Sequence, residues 1–218
     1  MRAVKQAAAA SCLASLAALL AILPLSFPYP VIPYLRFDLA EVPVFLAFLL
    51  LGPEASIFSS IIYWLILLLV GSFTPLGPTM KFVAVLSTLI GLWAGFRLRP
   101  SGGMGLALGG VLGCMIRIAV MSVFNYFVLV YMFPGFLELA AASISTFLGL
   151  RISDNLVALT MSMIFTAIFN ALHTPLSIIP AYLVVKSLIR AGGSRVGAYE
   201  LWYARLAKAA SRRSPQRS

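Results

Sequence analysis

Long apolar runs, broken at short intervals by proline, glycine and isolated charges, set the pattern of this 218-residue chain. The first run predicts a helix from about Ala7 to Leu23, rich in alanine and stopped by Pro24. Pro28, Pro30 and Pro33 follow. Proline lacks an amide proton and restricts its predecessor, so Phe27 to Asp38 reads as an extended, ordered outer loop. A second helix, Ala40 to Leu51, is too short to cross a bilayer unless it is tilted or partly embedded, and Gly52-Pro53 turns it sharply. A third, Ala55 to Val70, leads back to an outer turn-rich loop, Gly71 to Pro78. The fourth, Thr79 to Phe96, ends at Arg97 and Arg99, and Gly102 to Gly105 is a flexible link.

The fifth helix spans about Leu106 to Met132 and stops at Pro134-Gly135. Residues 136 to 158 mix Glu138, Arg151, Asp154 and Asn155 with apolar groups, the pattern of an amphipathic outer segment rather than a full span. The last helix runs from near Leu159 to Ile189, with a bend expected at Pro175, and ends in Lys186 and Arg190. Beyond Gly192-Gly193 lies a basic tail, Arg195 to Ser218. Its Tyr199, Leu201, Trp202, Leu206 and Lys208 could lie along an anionic inner leaflet or belong to a solvated, frayed end.

Composition fixes the class. Hydrophobic residues are 61% of the chain and charged residues 10%, against about a quarter charged in soluble domains. A bilayer core of about 30 Å needs roughly 20 apolar residues per helix. The expected fold is therefore an all-α membrane protein: one bundle of six transmembrane helices over residues 1–192, then a basic tail, 193–218. The formal charge of +10 does not point to nucleic acid. Arg2, Lys5, Arg97, Arg99, Lys186, Arg190, Arg195, Arg205, Lys208, Arg212, Arg213 and Arg217 all fall in segments that a six-helix reading makes cytoplasmic. That is the positive-inside bias, and it puts both termini in the cytoplasm. Residues 1 to 26 imitate a secretory leader, but no convincing small-x-small cleavage site follows the apolar run before Pro24, so the first run is kept as a helix. Cys12 and Cys114 have no metal-binding spacing and read as packing residues.

Polar side chains deep in a bilayer are costly and usually face the bundle interior or a cavity. Asn125 lies within Met121-Ser-Val-Phe-Asn-Tyr126, and Asn170 and His173 within Phe169-Asn-Ala-Leu-His173. Three apart, Asn170 and His173 share a helix face. An amide presents two donors and two acceptor lone pairs, which suits the carbonyl and N–H edge of a planar heterocycle. The same residue types also glue helices together, and residue chemistry leaves both roles open. Arg117 either snorkels to the cytoplasmic face or pairs inside. Ala10, Ala14 and Ala18 form a small-residue stripe for a close helix approach, either within the bundle or from another protein. Nucleophile-elbow, phosphate-loop and metallopeptidase motifs are all missing from the sequence, which argues against a metalloenzyme or a self-powered pump. An enzyme acting on lipids, using Asp38 and Asp154, and an assembly protein using the alanine stripe are the rival readings.

Leu35-Arg-Phe-Asp-Leu-Ala-Glu-Val-Pro43, Phe48-Leu-Leu-Leu-Gly-Pro53, Arg117 through Asn125-Tyr126, and Phe169-Asn170 follow one another in an order and spacing that resembles a known family. This is the membrane-embedded substrate-binding (S) component of energy-coupling-factor (ECF) vitamin transporters, closest to the riboflavin type, and the resemblance covers about residues 5 to 190. It implies a six-helix receptor in the cell membrane, with no catalytic activity, cofactor or metal. Riboflavin or a related vitamin would bind from outside between the first loop and the outer helix ends. It also implies that the alanine stripe docks on a transmembrane coupling protein driven by two ATPase subunits. Asn125 and Asn170 match flavin-contacting amides, while Phe37, Asp38 and Tyr126 belong to the matched segments, with Phe37 and Tyr126 as stacking aromatics. His173 stands where the riboflavin type usually has lysine, and Lys81, within Gly77-Pro-Thr-Met-Lys-Phe82, where it usually has asparagine. Riboflavin is therefore the expected ligand, with another vitamin or flavin-like heterocycle as the alternative.

Overall fold

The computed structural model describes residues 2–23, 25–70, 75–100 and 102–192, together with 195–196, 199–200, 202 and 205–206. Seven α-helices carry the fold: α1 (Arg2–Ile22), α2 (Val42–Leu51), α3 (Pro53–Val70), α4 (Leu76–Leu98), α5 (Gly102–Phe127), α6 (Pro134–Leu148) and α7 (Asn155–Gly192). A hairpin, β1 (Phe27–Tyr29) and β2 (Ile32–Phe37), joins α1 to α2, and two two-residue strands, β3 (Arg195–Val196) and β4 (Tyr199–Glu200), follow α7. Five of the helices, α1, α3, α4, α5 and α7, are long and apolar enough to cross a membrane. Large apolar side chains such as Ile57, Leu65, Leu69, Met115, Leu156 and Leu183 are exposed around the bundle, as lipid contact demands.

The expected loop at 27–38 is instead an antiparallel ribbon with Phe27 opposite Phe37 and an irregularity between Pro28 and Tyr29. Its prolines sit where an edge strand needs no amide donor. Arg36 ties the base of the ribbon, donating from Nε to the Ser26 hydroxyl and from Nη2 to the Ser26 carbonyl, both at 2.9 Å. Tyr29, Ile32 and Phe37 turn inward onto Ala140 and Ile144 of α6 and Phe169 of α7. The segment expected to be merely amphipathic contains α6, closed by Gly149 in the left-handed conformation (φ 67°). Helix α7 begins earlier than its apolar pattern suggests, because Asp154 Oδ1 accepts the Leu156 and Val157 amides at 2.6 and 3.3 Å, a side-chain N-cap. It runs unbroken through Pro175 and Pro180.

Two packing features shape the interior. Gly91 and Gly95 of α4 lie directly against the backbone of Gly113 and Gly109 of α5, with no room for a Cβ at either crossing point. Helix α2 is short and almost wholly buried, with Val44, Phe45 and Phe48 at 0% exposure among α1, α3, α4 and α7. Ten residues at about 1.5 Å rise give it only about 15 Å of length, half of a bilayer core. It ends at Gly52 (φ 110°), a backbone state that favours glycine.

Ala10, Ala14 and Ala18 are buried, at 0%, 0% and 3% exposure, where α1 packs against α2 and α3. This corrects the expectation of an outward docking stripe: small residues let α1 approach its own neighbours, and its outward face carries Leu16, Leu19 and the exposed Cys12 instead. In the tail, Trp202 packs edge-on against Phe48 (5.0 Å between centroids) and Phe96 (5.3 Å), beside Gly52, and Leu206 joins the same cluster. These two residues cover protein rather than lipid. Leu201 and Lys208 lie outside the described residues, as do Pro24 and the loop residues 71–74. Trp202→Ala is expected to lower stability by about 2 kcal/mol, roughly half the cost of removing a fully buried tryptophan, read as a lower thermal midpoint in detergent.

Candidate functional site

Three helices turn one face each to a common cavity. Gly77, Met80, Lys81 and Ala84 of α4 line it, as do Arg117, Met121 and Asn125 of α5 and Thr166, Phe169, Asn170 and His173 of α7. Spacings of three and four keep each set on a single helix face. At the end of α5 a π turn, Val128–Met132, brings Val128 and Leu129 to the same wall. The hairpin adds Tyr34, Leu35 and Arg36, its connection to α2 adds Asp38 and Glu41, and α6 adds Phe136. The cavity volume is about 380 Å³, within the range of roughly 300–1,000 Å³ found for small-molecule sites.

A buried ionic network closes the deep end. Arg117, 2% exposed, donates from Nη1 to Glu41 Oε2 at 2.7 Å and from Nη2 to Glu41 Oε1 at 3.0 Å. Its Nε donates to Asn170 Oδ1 at 3.0 Å, and the Ser177 hydroxyl donates to Glu41 Oε2 at 3.0 Å. Glu41 is fully buried, so this two-point grip compensates a charge that would otherwise be very costly there. The network also fixes the His173 tautomer. Arg117 Nη2 stands 3.3 Å from Nδ1, and because guanidinium only donates, Nδ1 must be the acceptor. Nε2 then carries the proton and donates to the Asp38 carbonyl at 3.1 Å. His173 is thus a neutral brace between α7 and the hairpin connection, with both ring nitrogens engaged.

Nearer the mouth, Lys81 Nζ pairs with Asp38 Oδ2, and Asp38 Oδ1 accepts the Ala40 amide at 2.9 Å. The ammonium group also abuts Tyr63, and of its three hydrogens at least one stays open to a ligand. Asn125 donates one amide hydrogen to the Met121 carbonyl at 2.7 Å. Among the described residues its Oδ1 and second N–H have no partner, so a donor and an acceptor stand side by side on the wall. Asn170 differs: its Nδ2 donates to the Thr166 carbonyl at 2.9 Å while Oδ1 holds Arg117. Aromatic rings form one side, with Tyr34 and Phe136 at 5.4 Å between centroids and Phe169 backed by Phe37 at 4.7 Å. Burial pushes the Tyr34 phenol up to about 12, so it stays a neutral donor.

No family model matches the chain. Over 117 residues it is 32% identical to riboflavin transporter RibU of Staphylococcus aureus (strain TCH60), a match covering 53% of this chain and 61% of that protein. Over 176 residues it is 30% identical to riboflavin transporter FmnP of Bacillus subtilis (strain 168), covering 76% of this chain and 90% of that protein. The chain belongs to the riboflavin-transporter family. A solved S component of a bacterial ECF transporter shares its fold, with a TM-score of 0.66, 26% identity, and coverage of 86% of this chain and 96% of that one. Members of this family are S components of transporters, so the chain is a multi-pass membrane transport subunit and not an enzyme.

Within this S-component fold, Asn125, Asn170, His173, Lys81 and Asp38 come together around one cavity. Phe37 stands behind the wall, buried against Phe169 and 5.7 Å from the His173 ring. Tyr126 is elsewhere. One residue beyond Asn125 the helix has turned by about 100°, and Tyr126 is 40% exposed on the outer face with Phe127 and Tyr131. Of the two placements open to Arg117 the structure takes the inner one, and its partner is Glu41. The usable signal was one acid and one base, each isolated among apolar residues at membrane depth, where each requires the other.

Proposed function

We propose that this chain is the vitamin-binding subunit of an ECF-type importer in the cell membrane and that its ligand is riboflavin. The single observation that carries this reading is the half-satisfied amide of Asn125 in an otherwise apolar and aromatic wall. It offers a donor and an acceptor to a flat heterocycle, while the Lys81 ammonium, not used up by Asp38, suits a hydroxyl oxygen. The names of the two relatives support the same ligand. The partners in this reading are a transmembrane coupling protein and two ATPase subunits. The bundle of residues 1–192 counts as six spans when α2 is taken with the hairpin connection as the second, and residues 193–218 form a basic cytoplasmic tail. Both termini are then cytoplasmic, as the arginine and lysine distribution requires. A flavin-like heterocycle other than riboflavin is favoured by one feature: His173 gives both nitrogens to the protein and none to the cavity.

Titrating the purified protein in detergent with riboflavin, read by quenching of flavin fluorescence, tests the site. Asn125→Ala should weaken binding by about tenfold, as an unmet buried hydrogen bond of about 1–3 kcal/mol implies. Unchanged affinity in both Asn125→Ala and Lys81→Ala would remove riboflavin from this cavity.

A further inference from the structure

Four of the five charges that line the cavity cancel in pairs within the chain, and the fifth, Arg36, stands at the mouth. Arg117 is paired with Glu41, and Lys81 with Asp38. The hydrogen bonds of His173 make it neutral, and Arg36, at the mouth, is turned to Ser26. The two pairs do different work. Glu41 and Arg117 are sealed at 0% and 2% exposure, whereas the Lys81 and Asp38 side chains keep 20% and 11% at the cavity edge. A ligand therefore meets Lys81 and Asp38 together, and any charge it brings is felt by both. A hydroxyl oxygen can accept a remaining Lys81 hydrogen without disturbing the pair. A phosphate monoester, carrying about −1.5 to −2 at neutral pH, that reaches Lys81 must either face the Asp38 carboxylate or draw Lys81 away from it.

We propose that Asp38 sets the charge specificity of this site: by holding Lys81 it makes the cavity accept an uncharged heterocycle with a hydroxyl chain and reject the phosphate monoester of the same molecule. The inference rests on the flavin reading given above, and it makes removal of phosphate a reaction that must precede uptake of a phosphorylated source. In the same geometry, replacing Asp38 with asparagine keeps an oxygen for the Ala40 amide but releases the lysine charge into the cavity.

The test uses the full chain in detergent, titrated with riboflavin and with riboflavin 5′-phosphate. The native protein should bind riboflavin at least tenfold more tightly than the phosphate. Asp38→Asn should shift that ratio by about tenfold or more toward the phosphate, with a steeper loss of phosphate binding as salt is raised. Lys81→Met, which leaves the Asp38 charge unopposed, should shift the ratio the other way, and it tests the idea even if the Asp38 variant does not fold. Equal binding of both ligands by the native protein, or ratios that ignore both substitutions, would overturn the charge role while leaving the flavin site intact. If neither flavin bound the native protein, both readings would be overturned.

Discussion

Arg117→Met should be among the most damaging single substitutions in the molecule, lowering stability by about 3–5 kcal/mol and abolishing measurable ligand binding. Glu41 is fully buried and takes two hydrogen bonds from that guanidinium. Without it the carboxylate keeps only the Ser177 hydroxyl, and the Arg117 bonds to Asn170 and His173 are lost as well. The thermal midpoint in detergent, followed through the fluorescence of Trp64 and Trp93, gives the measurement. Adding Glu41→Leu to Arg117→Met should recover more than half of the loss, because an apolar pair of similar volume removes the stranded charge. A double variant as unstable as the single one would mean that shape, rather than charge, dominates this floor.

Gly95→Leu is expected to separate α4 from α5 and leave little folded protein, while Gly95→Ala should cost about 1–3 kcal/mol through overpacking. A Cβ on Gly95 runs into the backbone of Gly109 on the facing helix, and main chain has nowhere to move. The effect reaches the site, since α4 carries Lys81 and α5 carries Arg117 and Asn125. Gly95→Ala should therefore weaken ligand binding as well as lowering the thermal midpoint. Gly110→Ala supplies the contrast. A Cβ there meets nothing, so the helix-propensity gain of about 1 kcal/mol over glycine should leave the protein as stable as before or slightly more so. If Gly95→Ala and Gly110→Ala behaved alike, the close crossing would not be what holds these helices.

Apolar run length and the proline and glycine breaks made the five long helices legible, and Gly52-Pro53 marked a turn that the backbone confirms with a positive φ. Helix α6 and the first turn of α7 were harder to read. Their polar residues blurred the apolar pattern, although Asp154 followed by Asn155 is itself a helix-start signal. The hairpin was hidden because three prolines speak against strands, and much of its support is long-range packing of Tyr29 and Phe37 on Phe169. In the site, Asn125, Asn170 and His173 stood out as polar groups at depth. Glu41 did not, since its partner lies 76 residues away and no local spacing can announce such a pair. Tyr126 and the alanine stripe show the converse: being next to a wall residue does not put a side chain in the wall, and small residues look the same whether a helix meets its own chain or a stranger.

The shortness of α2 decides what kind of container this molecule is. A helix of full membrane length at that position would occupy the volume where the cavity lies, and ten residues instead leave room above Glu41. Beneath it Val44, Phe45, Phe48, Leu89, Leu92 and Phe96 pack together in one core cluster. The protein is therefore a cup with a salt-bridged bottom, not a pipe. Anything seated in such a vessel rests on the Arg117–Glu41 pair and on the packed layer below it.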